Sequence, residues 1–120
     1  MSWDIYIQDL PDVPIIHQVP EDFRPRPIGE RTSLLARIKE LLPAADLVDN
    51  DWVFVKHDGI DLSIQLHLEN AEQVRFMVVH VHGGDQSAAA VAALLRHLRL
   101  RAHDTATGDL FDGFSLDESL

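Results

Sequence analysis

The sequence predicts an α+β two-layer sandwich ordered β-α-β-β-β-α-β, with a central antiparallel meander and both helices on one face. Three observations predict it. Apolar and polar residues alternate along separate short runs, as half-buried strands require. Two stretches, roughly Glu30 to Leu42 and Gln86 to Leu98, carry apolar residues at helical spacing instead. Asp58-Gly59 joins two of the alternating runs, and this dipeptide is the standard signal for a two-residue hairpin. Residues 1–112 read as a single α+β domain and 113–120 as an acidic flexible tail.

The first strand, residues 3–8, sets Trp3, Ile5 and Ile7 against Asp4, Tyr6 and Gln8. Residues 9–28 hold five of the six prolines, so they form a stiff extended connection, with Ile15, Ile16 and Phe23 to lie on apolar surface. The first helix places Leu34, Leu35, Ile38, Leu41 and Leu42 on one face, and Pro43 stops it. An acidic loop, Asp46 to Asp51, lacks the glycine and distal glutamate of an EF-hand, so calcium is not expected there. The meander follows as Trp52–His57, Ile60–Leu68 and a strand through Val74–His82. Asp85 is positioned to cap the second helix, whose expected buried stripe is Ala88, Val91, Ala92, Leu95 and Leu98. A final edge strand near Arg99 to His103 completes the order.

The hairpin turn fixes a register in which Val55 meets Leu62 and Val53 meets Ile64. A loop at Glu69–Glu72 would then pair Ile64 with Met77 and Leu62 with Val79. One face becomes wholly apolar: Val53, Val55, Ile60, Leu62, Ile64, Leu66, Leu68, Met77, Val79 and Val81. That face is the expected core. The opposite face carries Trp52, Phe54, Val74, Phe76 and Val78 among Lys56, Asp61, Ser63, Gln65, His67, His80 and His82. It is too apolar for plain solvent contact, which points to a covering segment, a subunit contact or a ligand groove. Trp52, Phe54, Phe76 and Val78 are the expected interface residues, and self-association through them as a homodimer is expected if the proline-rich segment leaves them uncovered.

Composition narrows the function classes. The net charge is −10, with 11 acids against 6 bases in residues 1–60 and 9 against 4 in the remainder, so neither half offers a basic face for nucleic acid. A basic protein remains an allowed partner. No cysteine is present, which removes disulfides, thiol nucleophiles and thiolate metal sites. The start of the chain has an acid where a signal peptide needs a base, and no apolar run is long enough to span a bilayer, so no membrane role is expected and the expected location is cytoplasmic.

The stretch Met77-Val-Val-His-Val-His-Gly-Gly84 holds the only constellation that could carry chemistry. His80 and His82, two apart on a strand, share a face, and the expected register sets Asp61 opposite His80. Such a set could hold zinc, or Asp61 could orient His80 as a general base; the competing reading is a pair of structural or interface histidines. Gly83 and Gly84 before a helix could offer amides to an anion, or simply supply the dihedrals of a tight turn. The His-Gly-Gly echo of an esterase oxyanion loop fails because no Gly-x-Ser-x-Gly elbow exists.

From Pro20-Glu-Asp-Phe-Arg-Pro-Arg-Pro-Ile-Gly29 through Met77–Gly84 to Asp104-Thr-Ala-Thr-Gly-Asp-Leu-Phe-Asp112, the chain resembles a group of small bacterial proteins of unknown function. The resemblance implies a stand-alone bacterial cytosolic domain and carries no activity with it. The expected function is a non-catalytic binding or assembly module without a cofactor, acting through the semi-apolar sheet face. One form is an immunity-like neutraliser of a basic partner. The alternative is a small metal-dependent or acid–base enzyme centred on His80, His82 and Asp61.

Overall fold

A computed structural model of the chain describes residues 3–49, 51–66 and 72–120. Among them, one mostly sequential set of strands forms a seven-stranded antiparallel sheet with helices on one face, the α+β architecture that the sequence predicts. The elements are β1 (Trp3–Gln8), β2 (Gly29–Glu30), α1 (Arg31–Leu41), β3 (Asp46–Val48), β4 (Trp52–His57) and β5 (Ile60–Leu66), then β6 (Gln73–Val74), β7 (Phe76–Gly83), α2 (Ser87–Leu98), β8 (Arg101–Asp104), β9 (Leu110–Asp112) and α3 (Gly113–Ser119). The sheet order is β3-β4-β5-β7-β1-β8-β9, and β2 and β6 make a separate two-stranded ribbon.

The core forms where alternation places it. Ile5, Ile7, Val53, Ile64, Met77 and Val79 are fully buried on one face of the sheet, and Leu34 and Ile38 of α1 with Val91 and Leu95 of α2 join the same cluster. The hairpin between β4 and β5 pairs Val53 with Ile64 and Val55 with Leu62, because Asp58 (φ 50°) and Gly59 (φ 83°) both adopt the left-handed conformation that a two-residue turn of this hand needs. α2 is rich in alanine, and Ala90 and Ala92 are buried with it. The expected stripe is rotated slightly: Ala88 is half-buried, whereas Ala90 and Leu94 are buried.

Several expectations need correction. β5 and β7 pair two residues out of the expected register: Ile64 meets Val79, Leu62 meets Val81 and Leu66 meets Met77. A bulge between Asp61 and Leu62 then carries Asp61 to Gly83 rather than to His80. A two-residue slip leaves every side chain on its own face, so the hydrophobic pattern could not detect it. Val74 belongs to β6, not to the open face, and is fully buried in the core. His67 and Leu68 lie outside the described residues.

Asp85 does not cap α2. The N-cap position is Gln86, whose amide donates to the Gly59 carbonyl (2.9 Å), so the hairpin turn itself meets the start of the helix. The acidic stretch at 46–48 is a strand rather than a loop. β8 is not an edge: β9 lies beyond it. Residues 113–119, aperiodic in sequence, form α3, with Asp112 and Ser115 making a reciprocal capping box. Arg96 of α2 pairs with Asp117 of α3, and Gly113 lies so close to Ala92 and Arg96 that no side chain fits there.

Candidate functional site on the open face of the sheet

Helices cover one face of the sheet, and the other face carries the candidate residues. Cross-strand partners share a face, so the register lays out two rungs. One runs Val48, Trp52, Gln65, Val78, Tyr6, His103 and Leu110, crossing all seven strands. The next runs Asp46, Phe54, Ser63, His80 and Asp4.

His80 is the pivot of the second rung. Its Nδ1 lies 2.9 Å from Asp4 Oδ1, and its ring stacks beside Trp52 with centroids 5.9 Å apart. Asp4 is held in turn, because Thr105 donates through its Oγ1 to the Asp4 carbonyl (2.9 Å). His82 reaches a different partner: its Nε2 sits 3.1 Å from Ser63 Oγ, and Ser63 is almost wholly buried. The two histidines therefore engage separate groups, and Asp61 joins neither. Its backbone N–H instead donates to Ser87 Oγ (2.9 Å), which itself donates to the Gly83 carbonyl (2.6 Å). Among the described residues no group of three His, Asp or Glu side chains is arranged to hold a metal ion.

The four expected interface residues separate by environment. Trp52 and Phe54 stack at 5.7 Å and nearly parallel (8°), and Phe54 is 44% exposed. Phe76 stacks on Tyr6 at 5.3 Å, and Val78 is buried within the chain. Phe54 is thus the most exposed of the four, with Trp52 and Phe76 half-buried beside their stacking partners. The proline-rich segment leaves Phe54 exposed. Its first half packs at the other end of the sheet, where Asp12 pairs with Arg101 (2.7 Å) and Pro14 accepts from the Leu110 amide (3.0 Å), and its second half runs to β6, where Ile28 donates to the Val74 carbonyl (2.8 Å).

Gly84 has a structural explanation, whereas a Cβ at Gly83 would meet open space. Gly84 has φ 83°, and a Cβ there would strike the Gly59 carbonyl of the hairpin turn, so the glycine permits that contact. The first amide before α2 is already taken by that turn. Among the described residues, grooves of about 480, 330 and 330 Å³ are lined by other residues, the first by Arg96, Arg99, Arg101 and Phe114, and none of these includes His80, His82 or Asp61.

Two residues of this region escaped the sequence reading. Asp4 alternates out of phase with Ile5 and Ile7, which assigns its face; its partner was invisible because nothing local says that β1 lies beside β7. His103 tilts against Tyr6 at 5.2 Å, and its Nδ1 is buried with no hydrogen-bond partner among the described residues. Burial holds the His103 imidazole below its usual pKa, opposed in part by the neighbouring Asp104 carboxylate. No helix among the described residues is long and apolar enough to cross a membrane. No protein-family model matches the chain, and neither the curated proteins nor the solved structures hold a match to it.

Proposed function

We propose that this chain is a non-catalytic binding module of a bacterial cytosol, acting through the open sheet face, with a basic protein as its partner. One observation carries the reading: a stacked Trp52–Phe54 pair stands on a face that no helix covers among the described residues, with Phe54 44% exposed. Flat stacked aromatics give large contact area at little entropic cost, which is why they anchor protein interfaces. The net charge of −10 favours a cationic partner and opposes a second copy of the same chain. An immunity-like neutraliser of a basic protein is the form that combines both features.

The enzymatic alternative has less support. His80 is engaged by Asp4 and flanked by Trp52, and Asp61, the expected third member, pairs with Gly83 on the far side of a bulge. Saturating zinc is therefore expected to leave the melting temperature unchanged, whereas a rise would favour the metal reading.

The test is comparative capture from host lysate. Wild type is expected to retain a basic protein that Phe54→Asp and Trp52→Ala lose, with all three chains folded by circular dichroism. Retention by both variants would remove the reading. Light scattering at tens of micromolar covers the homodimer form: a dimer mass that Phe54→Asp reduces to monomer would make the partner a second copy.

A further inference from the structure

We infer that the partner engages this chain by strand addition, with an extended lysine- or arginine-bearing segment pairing along the open edge of β3. The inference rests on the reading that this side of the molecule binds a basic protein, and it names how. The two edges of the sheet differ. Beyond β9, Ile16 donates its amide to the Gly108 carbonyl (2.8 Å), Pro14 accepts from Leu110, and Ile15 bridges to Asp109, so the proline-rich segment closes that edge. Beyond β3 no described strand follows, and all three of its residues are exposed.

An open edge presents unpaired backbone donors and acceptors, a template for another strand. Its side chains suit that use. Five large apolar residues are exposed among those described, and three of them, Leu47, Val48 and Phe54, sit on β3 and its neighbour β4. Val48 lies opposite Trp52 and Asp46 opposite Phe54, while Leu47 faces the helix side with Val53, so an added strand would meet one apolar and one acidic position beside the aromatic pair.

Charge selects the occupant. Residues 40–55 contain Glu40, Asp46, Asp49 and Asp51 and no lysine or arginine; of the flanking lysines, Lys39 is engaged with the Ala45 carbonyl (2.7 Å) and Lys56 lies beyond Phe54 on β4. A second copy is disfavoured, because an antiparallel pairing centred between Leu47 and Val48 sets Asp46 of each chain opposite Asp49 of the other. A cationic strand meets the same carboxylates favourably.

The probe is a terminally blocked peptide alternating lysine and valine, titrated into the full chain at low salt and followed by amide NMR and hydrogen exchange. The inference expects saturable shifts centred on residues 45–49, slowed exchange of the β3 amides, and loss of both when alternate peptide nitrogens are N-methylated. Asp46→Asn with Asp49→Asn should weaken binding about tenfold through lost charge attraction. Absence of saturable binding, or binding that N-methylation leaves intact, would overturn strand addition. Shifts confined to Trp52, Phe54 and His80 with β3 unchanged would overturn it too, yet leave the open-face reading standing. Failure of that reading has its own signature, a partner that Phe54→Asp still captures.

Discussion

The two faces of the central sheet are made by the same strands, yet they do different work. On the helix side, Ile5, Val53, Ile64 and Val79 are wholly buried beneath α1 and α2, and apolar burial there drives folding. On the open side, contacts run between a few side chains: Asp4 with His80, His80 with Trp52, Trp52 with Phe54, Ser63 with His82, and Tyr6 with Phe76 and His103. Such pairs are each worth little when half-exposed. A surface with small structural weight can be specialised for recognition, because changing it leaves the fold intact.

The largest effect expected is on the helix side. Ile64→Ala removes a fully buried side chain between β4 and β7, and should cost about 2–5 kcal/mol by urea denaturation through lost transfer and an unfilled cavity. A cost below about 1 kcal/mol would mean that the helix side is not the stabilising face.

Next comes α3, whose packing on α2 extends that side. Asp112→Ala removes the carboxylate that accepts from the Ser115 amide (2.8 Å) and should cost about 0.5–2 kcal/mol. That hydrogen bond, with help from Arg101, also holds the Asp112 pKa below its ordinary 3.8. The stabilisation is therefore complete above the unfolded value of 3.8 and is lost as pH falls through the lower folded value. The wild-type advantage over Asp112→Ala should shrink below pH 3.8, read from urea midpoints across pH.

A smaller effect separates parts of the open face. Burial disfavours the charged form of His103, so the unfolded chain binds the proton more readily. Its contribution is whole above the unfolded value of 6.5 and declines as pH falls toward the lower folded value. His103→Phe should flatten that part of the stability–pH curve. An unchanged slope would show that His103 is solvated like the rest of the face.

The smallest expected change in stability is at Phe54. Phe54→Thr, which keeps a strand-compatible side chain opposite Asp46, should alter unfolding free energy by no more than about 0.5 kcal/mol, while abolishing partner capture. A large loss of stability would break the contrast between the faces.

The sequence by itself determined the face of nearly every strand residue. Period-2 alternation separates Val53 and Val55 from Trp52 and Phe54 whatever strand lies alongside, and Asp58-Gly59 dictates the β4–β5 register because few residues tolerate two successive positive φ angles. Helical spacing likewise identified α1 and α2. Tertiary structure alone decided who meets whom. The partner of His80 is Asp4, 76 residues away, and no local pattern specifies that β1 inserts between β7 and β8. The β5–β7 pairing could slip by two residues without moving an apolar side chain off its face, so the Asp61–His80 juxtaposition was undetermined until the assembled sheet set Ser63 opposite His80. α3 was equally hidden, since a helix this short is stabilised by its cap and by packing on α2 rather than by a periodic stripe of its own. Periodicity is a property of the chain, whereas partnership between distant strands depends on which arrangement buries the most surface, and that is settled only when the whole sheet assembles.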